Sequence, residues 1–178
     1  MKKLGLSVLA LVATLAVPGI ASADDPGPDR TGWVNGGFTF RFTSGYGGFG
    51  LNFGYQHRVP ISGEDHSLVV GPRLVMAFPS FIGPEISPGG EFGYRGNFVH
   101  GQGFRAGLLV MTQPSINLWV GGLSTAAGMS LPLLGGGFFK FGAFEGQITG
   151  GGGPLFVFSG AGGTTGFGVV NINGGYAF

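Results

Sequence analysis

The sequence predicts an all-β fold, a closed antiparallel transmembrane β-barrel of eight strands, with ten as the alternative. Three observations carry this. Apolar residues alternate with other residues at period two along most of the chain. The second face is mostly glycine, not the Lys, Glu, Thr and Ser of a wetted sheet. Beyond the N-terminal segment no apolar run has helical spacing or approaches 18 residues. Composition agrees: of 178 residues 40 are Gly and 18 Phe, 43% are hydrophobic and only 10% charged. Ordinary chains carry about 7% Gly and about 25% charge. Such apolar content excludes the usual disordered composition, and there is no strict Gly-X-Y period for collagen. The absence of Cys excludes a disulfide scaffold, an iron–sulfur cluster and a thiol nucleophile. A net charge of +1 gives no basic field for nucleic acid.

Lys2 and Lys3 precede an apolar stretch from Leu4 to about Val17, and Ala21-Ser22-Ala23 forms a small-residue cleavage site. Residues 1–23 therefore predict a secretory signal peptide. The alternative, an uncleaved anchor, suffers from an apolar core shorter than the roughly 20 residues that span a bilayer. Residues 24–31, rich in Asp, Pro and Gly, predict a short leader, and 32–178 the barrel. Cleavage leaves seven basic against eight acidic residues.

From Val34 to Phe42 the even positions Val34, Phe38, Phe40 and Phe42 oppose Asn35, Thr39 and Arg41. Phe49, Leu51, Phe53 and Tyr55 repeat this against Gly48, Gly50, Asn52, Gly54 and Gln56. Leu68, Val70, Leu74, Met76 and Phe78 then oppose Gly71 and Arg73, and Phe92, Tyr94 and Phe98 oppose Glu91, Arg95 and Asn97. Phe104, Ala106, Leu108 and Val110 oppose Arg105 and Gly107, and the last segment sets Val170, Ile172, Tyr176 and Phe178 against Asn171 and Asn173. Glycine costs a strand backbone entropy and packs nothing. Crowding inside a narrow barrel explains it, with the apolar face turned to lipid. Nine segments qualify as strands: 33–43, 46–57, 67–78, 90–99, 103–113, 115–127, 137–148, 154–160 and 166–178. Bacterial single-chain barrels have even counts. Either the short 154–160 segment belongs to a loop, or 126–134 hides a tenth strand despite Pro132. The longest connector is read at 79–89.

Counting back from the end, Phe178 and Tyr176 are followed at alternate positions by Gly174, Ile172 and Val170. This resembles the C-terminal strand of bacterial outer-membrane β-barrels. The chain as a whole resembles the small OmpA/OmpX-type barrels, without a periplasmic domain. The resemblance implies eight strands, a bacterial outer-membrane location after export through the periplasm, and contact with outer-membrane lipid. It also implies recognition by the barrel-assembly machinery through Val170, Ile172, Tyr176 and Phe178. A monomer is expected.

Parity places Arg41, Arg73, Glu91, Arg95 and Arg105 inside, because an Arg facing lipid at the midplane costs about 2–4 kcal/mol. Glu91 is expected to serve one or two of these cations, while Lys140 and Glu145 are ambiguous in register. Two readings follow: a structural network of ion pairs in a largely filled lumen, or a narrow Arg-lined pore for anions or small solutes. A third, lipid-modifying catalysis, would need a nucleophile beside a base. His57, His66 and His100 are the candidates, yet His66 and Ser67 must face opposite sides of a strand. Glu64, Asp65 and His66 suggest a solvated turn, and His57 and His100 strand ends at the interface. The Gly150–Gly153 run lacks the Lys-Ser/Thr of a phosphate loop. No enzyme activity, cofactor or metal is expected. Trp33, Tyr46, Tyr55, Tyr94 and Trp119 are candidates for an interfacial aromatic girdle.

Overall fold

The computed structural model describes residues 31–44, 46–62, 65–79, 83–121, 124–158 and 162–178. The expected signal peptide and nearly all of the expected leader lie outside them. The described residues form strands and connectors: β1 (Gly32–Thr43), β2 (Tyr46–Ser62), β3 (His66–Pro79), β4 (Glu85–Gly101), β5 (Phe104–Thr112), β6 (Ser115–Gly121), β7 (Ser124–Ser130), β8 (Leu133–Phe141), β9 (Phe144–Val157) and β10 (Gly163–Ala177).

Antiparallel pairing runs β1-β2-β3-β4-β5-β8-β9-β10 and returns to β1, a ring of eight strands. At the seam Gly32 and Phe178 exchange backbone hydrogen bonds of 3.0 and 2.8 Å. The remaining pair, β6 and β7, extends two staves of this ring. The β4–β5 register that pairs Phe92 with Thr112 continues unbroken into β6, pairing Gly89 with Ser115. The β8–β9 register likewise continues into β7, from Leu133↔Gly152 to Ser130↔Leu155. Pro114 and Pro132 interrupt the two staves, since proline has no N–H for the ladder. Around them Gly90 still donates to Pro114 and Leu131 to Pro154. Ten strand segments thus make eight staves, which reconciles the two counts read from sequence.

Some sequence boundaries shift. Pro154–Val157 are neither a separate strand nor a loop but end β9, and 159 and 160 lie outside the described residues. The 115–127 segment splits into β6 and β7, so a strand does occupy part of 126–134. The 79–89 connector is shorter than expected, because β4 begins at Glu85 despite Pro84 and Pro88. Between β4 and β5, and between β8 and β9, the turns are Gln102-Gly103 and Gly142-Ala143, with Gly103 and Gly142 at φ 70° and 55°. Two-residue hairpin loops need such left-handed positions.

The face assignment follows the parity. Phe38, Phe49, Leu108, Leu133, Ile148 and Ile172 are exposed on the outside, Phe38 at 55% and Leu133 at 64%. Asn35, Thr39, Asn52, Gln56, Arg73, Glu91 and Arg95 are buried within. Inward glycine has a sharper cause than room for long neighbours. A Cβ on Gly71 would overlap the Tyr55 carbonyl oxygen, and one on Gly107 would overlap that of Gly96. At these positions the backbone of the neighbouring strand fills the space of a side chain. The inside is also less purely polar than expected: Val69, Leu109, Met111, Leu134, Phe138, Phe167 and Val169 form a buried apolar cluster.

Candidate functional site

The inner wall gathers every cation of the described residues: Arg41, Arg58, Arg73, Arg95, Arg105 and Lys140. Three carboxylates join them, Glu85, Glu91 and Glu145. They divide into three groups rather than one network.

In the first group Glu145 is the hub, not Glu91. It is fully buried at the start of β9 and accepts from Arg58 at 2.7 Å and from Arg95 at 2.7 and 2.8 Å. Gln147 donates to the same carboxylate at 3.1 Å and to Gln56 at 3.1 Å. The Arg95 guanidinium lies 3.6 Å above the Phe138 ring, a desolvated cation–π contact. Lys140 stands opposite Glu145 across β8–β9 and opposite Arg105 across β5–β8, so all three share this end of the barrel. Register therefore settles the ambiguity: Phe139 and Phe141 face out, and both Lys140 and Glu145 face in.

In the second group Arg41 pairs with Glu85, which also accepts from Ser87 and, at 3.1 Å, from Trp119 Nε1. In the third, Arg73 donates to Asn171 at 2.8 Å and lies 4.0 Å from Glu91. Gln113 donates to Glu91 at 3.1 Å, and Asn171 donates to Gln113 at 3.3 Å. Glu91 thus serves a single Arg at the edge of ion-pair range. All five sequence-derived residues face inward, but Arg58 and Glu85 belong with them and were missed. Arg58 continues the parity of Gln56 beyond the expected strand end at 57, because β2 runs on through Pro60.

A cavity of about 20 Å³ lies at the level of the facing prolines, lined among others by Thr39, Arg41, Arg73, Gln113 and Pro132.

Trp33 and Trp119 are not in an interfacial girdle. Both are buried inside, Trp33 with its ring centroid 6.0 Å from the Arg58 guanidinium. Their parity with Asn35 and Asn117 dictates this. Tyr55 and Tyr94 do face outward, Tyr55 stacked on Phe178 at 6.3 Å; the Tyr46 side chain lies outside the described residues. His57 is not at a strand end but exposed within β2. His66 bonds the Tyr94 hydroxyl outside while Ser67 is buried inside. His100, near the end of β4, pairs with Asp65 at 2.6 Å, both about half exposed. Glu64 lies outside the described residues, and Gly150–Gly153 lie within β9. Val170, Ile172 and Tyr176 alternate outward along β10, and Phe178 follows it, 56% exposed.

Neither the models of protein families nor the curated proteins contain a match to this chain. Among solved structures it is similar to the N-terminal β-barrel domain of Pseudomonas aeruginosa OprF, at 12% identity over 82% of this chain and 98% of that one. The TM-score of 0.37 marks a loose superposition. The barrel assignment stands on the strand ring itself.

Proposed function

We infer that the protein is a bacterial outer-membrane β-barrel with a structural or envelope-interacting role and a largely filled lumen. The observation that carries this is the inversion of the usual order: exposed Phe, Leu, Ile and Val outside, every described cation inside, on a ring with no free edge. Only hydrocarbon rewards that arrangement, since backbone groups in lipid must all pair internally. The buried apolar cluster and the ion pairs support the filled lumen, as an eight-stranded barrel has room for little more than its own side chains. The outward row Val170, Ile172, Tyr176 and Phe178 serves the assembly machinery, and the barrel works as a monomer in lipid. No catalytic role is assigned: His66 and Ser67 point to opposite sides of β3, and His100 is engaged by Asp65.

Two measurements test this. The folded protein should migrate differently on a gel before and after heating, and it should fractionate with the outer membrane. Absence of both overturns location and fold together. In planar bilayers, steady single-channel currents from purified protein would replace the filled lumen by the narrow-pore reading, which the excess of cations over carboxylates favours.

A further inference from the structure

The cavity at the level of Pro114 and Pro132 has a particular chemistry. Its volume of about 20 Å³ is little more than the ~10–15 Å³ that one water-sized sphere needs. A single water or a monatomic ion fits it. Among the lining groups, Arg73 is 8% exposed and gives Nη2 to Asn171; its Nε has no hydrogen-bond partner, and neither has its Nη1, which stands 4.0 Å from Glu91. Arg41 commits Nη1 to Glu85 and leaves Nε unpaired. The Thr39 hydroxyl is fully buried and also unpaired.

Other lining polar groups are bonded to one another or to neighbours. Gln113 Oε1 accepts from Asn171 at 3.3 Å, Ser115 and Ser130 bond each other at 2.7 Å, and Ser87 donates to Glu85. Neither Glu85 nor Glu91 lines the cavity. A buried donor without an acceptor pays its full desolvation penalty. A water would accept from these groups but would bring no charge to face the two guanidinium groups. An anion does both. Across the whole inner wall six cations face three carboxylates, and that field favours negative charge.

We propose that this cavity binds one small monovalent anion of halide size, held by the Arg73 and Arg41 guanidinium N–H groups and the Thr39 hydroxyl. Barrel closure is required, but conduction is not.

The test uses the full-length folded protein in detergent with sodium chloride as the only halide. Chloride exchange is followed by the ³⁵Cl NMR linewidth. Folded protein should broaden the chloride signal beyond the same chain after heat unfolding. Bromide should compete this excess away, and sulfate at equal ionic strength should not. Arg73→Gln should abolish the excess. Thr39→Val, which preserves shape and charge, should reduce it, with the heat-dependent gel shift intact. If Arg73→Gln does not fold, Thr39→Val decides alone. No excess in the folded wild type overturns the proposal and leaves water as the occupant. An excess unchanged in the folded variants overturns it too, by placing the halide on the surface.

Discussion

Replacing Glu145 by Gln removes the charge on which two arginines converge while keeping the shape of the side chain. Arg58 is 1% exposed and Arg95 fully buried. Neither can lose its proton, and neither can reach water where it sits. At an effective dielectric of about 20, two unit charges about 4 Å apart attract by about 4 kcal/mol. Two arginines on one carboxylate give a gross attraction near ~8 kcal/mol, against the several kcal/mol that each ion pays in lost hydration. Breaking a buried pair by deleting one partner costs about 3–5 kcal/mol, because the other charge stays behind. The amide oxygen of the new Gln can still accept hydrogen bonds, from Gln147 and from an arginine, but cannot neutralise. Glu145→Gln is therefore expected to lower unfolding stability by about 3–5 kcal/mol. Asp65→Asn provides the contrast: its pair with His100 is half in solvent, where ion pairs are worth about 0–1 kcal/mol. The assay is urea unfolding of protein refolded into micelles, scored by the fraction keeping the unheated gel mobility. If Glu145→Gln stays within about 0.5 kcal/mol of wild type, a change typical of a neutral surface site, the hub has no energetic role and the argument is refuted.

Four further substitutions probe other layers. Gly71→Ala sets a methyl group against the Tyr55 carbonyl and should cost at least the about 1–3 kcal/mol of overpacking. Gly135→Ala meets nothing within 4 Å on the outer face and should be neutral in the same urea titration. Phe38→Arg puts a charge on the outer face midway along β1 and should cost about 2–4 kcal/mol in lipid bilayers; equal stability in bilayers would remove lipid from the outer face. Trp119→Phe keeps the ring but deletes the donor to Glu85. A hydrogen bond to a charged group is worth about 1.5–3 kcal/mol. Arg41 and Ser87 still hold Glu85, so the lower end is expected, read as a shift in urea midpoint.

How much of this was legible in the sequence varies along the chain. In β1 and β2 Phe and Leu alternate with Gly, Asn, Thr and Arg, and this parity puts Arg41 inside. Arg73, Glu91, Arg95 and Arg105 were placed the same way. Parity failed where it was blurred. Consecutive Phe138 and Phe139 allow two registers, and only the pairing of β8 with β9 decides between them. Val69, Leu109 and Met111 stand in runs apolar at every position, so no alternation betrays their inward side. Glu85 lay hidden among prolines that suggest a loop, although β4 tolerates both Pro84 before it and Pro88 within it. Trp33 and Trp119 show the opposite case: parity with Asn35 and Asn117 puts them inside, against the general preference of aromatic residues for membrane interfaces. The hub at Glu145 was beyond sequence reasoning, because it joins β2, β4 and β9 across the lumen.

The facing prolines also divide one hairpin into two cooperative segments. Inboard of them β5 and β8 match along nine residues each, while outboard β6 and β7 are tied to β4 and β9 through only three register pairs on either side. Local opening draws on such sparsely tied regions first. Amide protons of β6 and β7 should therefore exchange with deuterium well before those of β5 and β8. The molecule would then have a rigid base where β1 begins and β10 ends, and a rim that breathes at the opposite end.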